Sequence, residues 1–166
     1  MLQTLHAIQL TAESPDEVRH LSRRQQRELR TTIAELRSRF DDSFRAALLT
    51  ASGDVEDLYR VEVDAVIRGD TQLTEELSLI VDASKEAMVN AAKHSSDDKI
   101  ELFSEIVDDR LSVYIRDRGT GFDTTRIDSG RGIGRHIAKV GDAGGEATVE
   151  SGPGNGTEIM FAVVMP

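Results

Sequence analysis

Of the 13 glycines in this 166-residue chain, 11 fall between Gly119 and Gly156, and only Gly53 and Gly69 precede them. Glycine reaches backbone conformations closed to other residues and lets a second backbone or a ligand come close, so such a cluster marks where the chain does something unusual. The glycines form three ordered groups: Asp117-Arg118-Gly119-Thr120-Gly121, Gly130-Arg131-Gly132-Ile133-Gly134 and Gly154-Asn155-Gly156-Thr157. Ordinary loop glycines would account for one pair, but not for three groups bracketing strands. A Walker loop requires Gly-Lys-Ser/Thr, which is absent. A dinucleotide fingerprint requires GxGxxG straight after a strand, whereas the middle group follows the polar stretch Thr124 to Ser129 and is spaced GxGxG.

The rest of the chain predicts the scaffold around these loops. A helix is expected over Ser43 to Tyr59 through Phe44, Ala47, Leu48 and Val55, although Gly53 weakens it. Val61 to Val66 alternates as a strand does and ends at the turn-prone Gly69-Asp70. Residues 73 to 94 return to helical period, with Leu73, Leu77, Ile80, Val81, Ala87, Met88 and Ala91 inward. Ile100 to Val107 and Leu111 to Ile115 read as an antiparallel hairpin, and Ala147 to Glu150 and Glu158 to Val164 as two further strands. The expected architecture is a layered α+β domain with a mixed sheet, over residues 46–166.

Residues 1–45 read differently. Ser14-Pro15-Asp16-Glu17 has the features of a helix start, and Val18, Leu21, Leu29, Ile33, Leu36 and Phe40 make a thin apolar stripe. Such a stripe is too thin to fold alone, and a helical hairpin that dimerises is the expected form. Arg19, Arg23, Arg24, Arg27, Arg30, Arg37 and Arg39 stand between its members, with Glu28 and Glu35 interspersed as on a solvated face.

Charge and composition remove several function classes. The chain holds 20 basic and 30 acidic side chains, a formal net charge of −10. A duplex binder needs a basic face to displace counterions, so no nucleic-acid partner is expected. With no cysteine there is no disulfide scaffold, zinc-thiolate site or thiol nucleophile, and a reducing cytoplasm suits the composition. No apolar run approaches the roughly 20 residues of a membrane helix, so this stretch is expected to make no membrane contact.

Upstream of the glycines, Glu86-Ala87-Met88-Val89-Asn90-Ala91-Ala92-Lys93-His94 spaces Glu86, Asn90 and Lys93 or His94 along one helical face. Such a polar face often meets only solvent. Together with the glycine groups in this order, however, it resembles the ATP-binding domain shared by sensor histidine kinases, gyrase-type topoisomerases and heat-shock chaperones, the GHKL superfamily with its Bergerat-type two-layer sandwich. Glu86 to His94 matches the family's N box, Asp117-x-Gly119-x-Gly121 and Gly130 to Gly134 its first two glycine boxes, and Gly156-Thr157 the last. The finer resemblance is to short-lidded histidine kinases of actinobacterial type that partner helix-turn-helix response regulators. Glu-Ala-Met-Val-Asn-Ala-Ala-Lys-His, Arg-Asp-Arg-Gly-Thr-Gly-Phe-Asp and a lid of seven residues between Phe122 and Gly130 carry it.

That resemblance implies a role for each matched residue. Asp117 would accept the adenine amine, its alternative being a strand-end salt bridge. Gly119 and Gly121 would let backbone pass close to the base. Asn90 would give Mg²⁺ a hard amide oxygen, with Glu86 as base or as orienter of a metal-bound water. Lys93 and His94 would meet the phosphates, or simply complement the helix dipole. Amides around Gly132, Ile133 and Gly134 would cradle phosphate oxygens, and Thr157 would lie near the adenine. ATP and Mg²⁺ are thus the implied ligands, and a homodimer through the N-terminal helices and a response-regulator receiver domain the implied partners.

The implied activity is transfer of the γ-phosphoryl to a histidine. In this group the phosphoacceptor is followed by Asp or Glu, as none of His6, His20, His94 and His136 is. Leu2-Gln3-Thr4-Leu5 resembles the segment just past the acceptor, so the acceptor is expected upstream, in a parent anchored through a sensor, and this chain is not expected to phosphorylate itself. Two alternatives are an ATP hydrolase using Glu86 as base and an anti-sigma-type regulatory serine kinase.

Overall fold

The computed structural model describes residues 42–94 and 99–165. Asp42–Pro166 form one compact unit. The helical hairpin expected over residues 1–45 lies outside the described residues, apart from its last four positions.

The first helix, α1 (Phe44–Tyr59), starts where Ser43, in extended conformation, accepts a hydrogen bond from the Ala46 amide. Phe44, Leu48, Ala51 and Val55 make its buried stripe. Gly53 does not interrupt it. The strand β1 (Glu62–Arg68) alternates exposed and half-buried positions along its whole length. Helix α2 (Glu75–His94) follows, with Glu75 and Glu76 at its positive N-terminal end and Lys93 and His94 at its negative C-terminal end. Leu77, Ile80, Ala83, Ala87, Met88 and Ala91 are buried, whereas Leu73 and Val81 reach the core only from its margin.

The hairpin of β2 (Lys99–Val107) and β3 (Arg110–Asp117) turns through Asp108 and Asp109, at φ 48° and 60°. A two-residue turn with both φ values positive matches the right-handed twist of the strands. After helix α3 (Gly132–Asp142), strands β4 (Glu146–Ser151) and β5 (Thr157–Val164) make a second hairpin. The sheet order is β1-β2-β3-β5-β4, with β1 and β2 parallel and all other pairs antiparallel. A mixed sheet with helices packed on it is the expected α+β class.

One row of the sheet shows how the faces divide. Ala65, Leu102 and Ile115 are neighbours across three strands, and Ile115 in turn opposes Ile159. This face meets the helices, and Ile100, Leu102, Val113, Ile115, Ile159 and Phe161 join Leu48, Ile80 and Met88 in one core. The opposite face carries Arg68 over the Phe103 ring, itself 6.0 Å from the Tyr114 ring. The free edge of β1 is occupied by side chains of α1: Arg45 donates to the Ile67 and Gly69 carbonyls, and Glu56 accepts from the Val63 amide. Backbone groups that would otherwise template another strand are thereby satisfied.

Asp70 ties the start of α1 to the turn after β1. It accepts from the Ser43 hydroxyl and from the Arg45 and Thr71 amides. Burial pushes its carboxyl up, but hydrogen bonds from Arg45, Ser43 and Thr71, with the Arg45 charge, outweigh this and hold the pKa below the ordinary aspartate value. A depressed carboxylate contributes stability that is present above its unfolded pKa, near 4, and lost as pH falls through the folded value. Asp70→Ala is therefore expected to cost about 1 kcal/mol at neutral pH, a modest figure because the group is exposed. Denaturant unfolding at pH 7 and at pH 3 should show that penalty shrinking in acid.

Candidate functional site

The three glycine groups and α2 meet at one cavity of about 390 Å³. Its walls take Asn90 and His94 from α2, Asp117 from the end of β3, Thr157 from the start of β5, and Gly132, Ile133 and Gly134 from the start of α3. Ala87, Ala91, Ile115 and Ile159 supply an apolar surface. An apolar pocket of this size with a few convergent polar groups is the usual form of a small-molecule site.

Asp117 and Thr157 are 40 positions apart in sequence yet are direct partners across β3 and β5. Asp117 Oδ1 accepts from the Gly119 amide at 2.7 Å, which sets the carboxylate's orientation at the point where the strand ends. The loop that follows is packed backbone to backbone on the β4–β5 loop. Gly154 N–H donates to the Thr120 carbonyl at 2.7 Å. Gly121, at φ 62°, has no room for a side chain, because a Cβ would overlap the Gly152 carbonyl and come within 2.8 Å of the Gly156 carbonyl. The first and last glycine groups thus hold each other as well as lining a wall.

The middle group starts α3. Arg131 is the N-cap residue and provides no side-chain capping bond, and no acidic side chain lies in the first turn. The first amides of this helix therefore keep their positive end for an anion. Asp128 shapes the approach: its side chain accepts from the Gly130 amide at 2.8 Å and its carbonyl from the Arg131 amide at 3.1 Å. A Cβ on Gly134 would overlap that same carbonyl, so the lid's end is packed directly on the helix.

The residues expected from sequence divide into two sets. Asn90, His94, Asp117, Gly121, Gly132, Ile133, Gly134 and Thr157 line the cavity. Glu86, Lys93, Gly119 and Gly130 do not line it. Glu86 extends toward the start of α3, its Oε1 3.6 Å from where a Cβ on Gly132 would stand. Lys93 turns to the other side of α2 and lies over the Tyr59 ring at 5.9 Å. Thr120, Phe122, Ile127 and Asp128 are lining residues to which the motifs give no role, and Arg131, a candidate phosphate contact, lines the cavity too. Ser151, which bonds to both outer glycine loops, is also missing from the motif set. A Ser followed by a Gly-rich turn was the signal available for it.

The donors suit Mg²⁺ held jointly with a nucleotide. Among the described residues there is no group of three His, Asp or Glu side chains able to hold a metal by themselves. Mg²⁺ needs only one or two protein oxygens when phosphates and water complete its shell, and the Asn90 amide oxygen is a hard donor on the cavity wall.

The family described as Histidine kinase-, DNA gyrase B-, and HSP90-like ATPase matches residues 76–166. Among solved structures, the histidine kinase domain from the Erythrobacter litoralis EL346 blue-light activated histidine kinase superposes with a TM-score of 0.60 at 19% identity, covering 74% of this chain and 60% of that one. The mycobacterial sensor histidine kinase MprB gives 0.58 at 19% identity, covering 73% of this chain and 93% of that one. These likenesses concern the fold. The chain thus spans three-fifths of the first of these structures. A comparison with curated proteins finds no match. No helix among the described residues is long and apolar enough to cross a membrane.

Proposed function

The chain belongs to the family of histidine kinase-, DNA gyrase B- and HSP90-like ATPases, and from that premise we propose that it is the catalytic region of a sensor histidine kinase. It binds ATP with Mg²⁺ and passes the γ-phosphoryl to a histidine, from which a response-regulator aspartate takes it. The observation that carries this reading is the meeting of a polar pair, Asp117 and Thr157, with Asn90, His94 and the uncapped start of α3 in one cavity. The first pair suits the amine edge of adenine, and the second group suits phosphate and its metal.

Phosphoryl transfer requires chiefly positioning and neutralisation of charge. The α3 amides would orient phosphate oxygens, and His94 would contact them from α2. Asn90, with Glu86 behind it, would hold Mg²⁺, which when bound offsets phosphate charge. Residues 47–166 carry 12 basic and 23 acidic side chains, so a polyanion meets an adverse field there and the metal should be indispensable. Glu86 Oε1 approaches the start of α3, 3.6 Å from where a Cβ on Gly132 would stand, and from there it would orient a metal-bound water or serve as the base.

Calorimetric titration with ATP, with and without Mg²⁺, tests the proposal. Removal of Mg²⁺ is expected to weaken binding at least about tenfold, and Asn90→Ala to erase most of that increment. Absence of ATP binding under either condition, or equal affinity with and without the metal, would sink it.

A further inference from the structure

Ser151 closes β4 directly opposite Thr157, the first residue of β5. Its hydroxyl is not on the cavity wall but touches three groups. It accepts from the Phe122 amide at 2.9 Å, donates to the Gly156 carbonyl at 2.9 Å, and lies 3.1 Å from the Thr157 hydroxyl. A serine hydroxyl has one proton, and a carbonyl can only accept. The Ser151 proton is therefore committed to Gly156, and in the third contact Thr157 must be the donor. That turns the single proton of Thr157 toward Ser151 and leaves only lone pairs for the cavity that Thr157 lines. Its cross-strand neighbour Asp117, an acceptor-only group when ionised, already has Oδ1 engaged by the Gly119 amide.

We propose that Ser151 is a positioning residue that sets base specificity: by holding the Thr157 proton it leaves Asp117 and Thr157 both accepting where the 6-substituent of a purine meets them, and so selects a 6-aminopurine over a 6-oxopurine. The inference rests on the nucleotide reading above. An exocyclic amine donates to such a pair. A 6-oxo group turns an acceptor toward other acceptors, and buried polar groups left unpaired in this way are discriminated strongly.

The test compares affinities for ATP and ITP in the wild type, Ser151→Ala, Thr157→Val and the double variant, with circular dichroism to confirm folding. The wild type should prefer ATP. Ser151→Ala frees the Thr157 hydroxyl to rotate and donate to the 6-oxo group, and the ATP-to-ITP preference should fall about tenfold. Looser glycine loops alone would weaken both nucleotides together and leave the ratio unchanged. In the Thr157→Val background Ser151→Ala should leave the ratio where it stands, because the group it acts through is gone. An unchanged ratio in Ser151→Ala, or an equal fall in the Thr157→Val background, overturns the proposal while the nucleotide site survives. Should Ser151→Ala not fold, Ser151→Cys takes its place, because a thiol is too weak an acceptor to hold the Thr157 proton: the ratio must fall, and an unaltered one overturns the proposal. A wild type that binds neither nucleotide overturns the nucleotide reading, and this inference with it.

Discussion

Gly156→Ala is expected to destabilise the domain by about 3 kcal/mol or more and to abolish ligand binding at the cavity. Gly156 has φ 70°, and a Cβ there would overlap the Asp117 carbonyl oxygen and lie 3.0 Å from the Arg118 Cα. Both obstacles are backbone, so no rotamer change relieves them. The methyl would have to push the end of β3 away from the start of β5, separating Asp117 from Thr157. Gly154 is the control. It has φ 82° but nothing within 4 Å of its Cβ direction, so Gly154→Ala should show the conformational cost alone, about 1–2 kcal/mol. At Gly141, within α3 and also in open space, the same change should stabilise by about 0.5–1 kcal/mol, because alanine loses less entropy in a helix. Denaturant midpoints of the three variants should fall in that order. A Gly156→Ala protein as stable as Gly154→Ala would contradict the packing described for the two outer loops.

Asp117→Asn is expected to reduce ATP affinity about 100-fold with little loss of stability. The Gly119 amide requires an acceptor from residue 117. An asparagine meets that requirement with its carbonyl oxygen, which forces its NH₂ group toward the cavity. A donor then faces the adenine amine, itself a donor, and a charge-assisted bond is replaced by an unsatisfied pair, a change of about 2–3 kcal/mol. Calorimetric titration with ATP and thermal melting separate the two effects. If affinity is retained, Asp117 does not face the base and the assignment of the cavity falls.

Much of this molecule is written in local patterns. The buried stripe of α2 follows from its helical period. The β2–β3 hairpin follows from two alternating runs around Asp108-Asp109, and its turn then needs positive φ at both residues. Gly53 weakened the expectation of a helix over 43–59, yet α1 runs through it because Phe44, Leu48, Ala51 and Val55 bury a stripe whose packing outweighs one poor helix former. The site was legible as a set of residue types at set spacings, since the family motifs are short and each is confined to one loop or one helix turn.

The use made of each motif residue was not legible. Lys93 and His94 are adjacent in sequence, and both are candidates for phosphate, Lys93 the first of them. The helix turns by about 100° between them, and the neighbours of α2 decide the outcome: His94 reaches the cavity and Lys93 reaches Tyr59 of α1. Gly119 and Gly121 were expected to make way for a base, but the Gly121 position is required first by the protein's own β4–β5 loop.

By itself the sequence determined the order of α1, α2 and the five strands, the three glycine loops and the acidic surplus of residues 47–166, because periodicity, turn chemistry and charge act over a few residues. Only the tertiary structure decided that Asp117 opposes Thr157 and that Ser151 joins the outer loops and fixes a proton. Those relations depend on strand register and on the approach of segments 29 and 40 positions apart, and no local pattern encodes them.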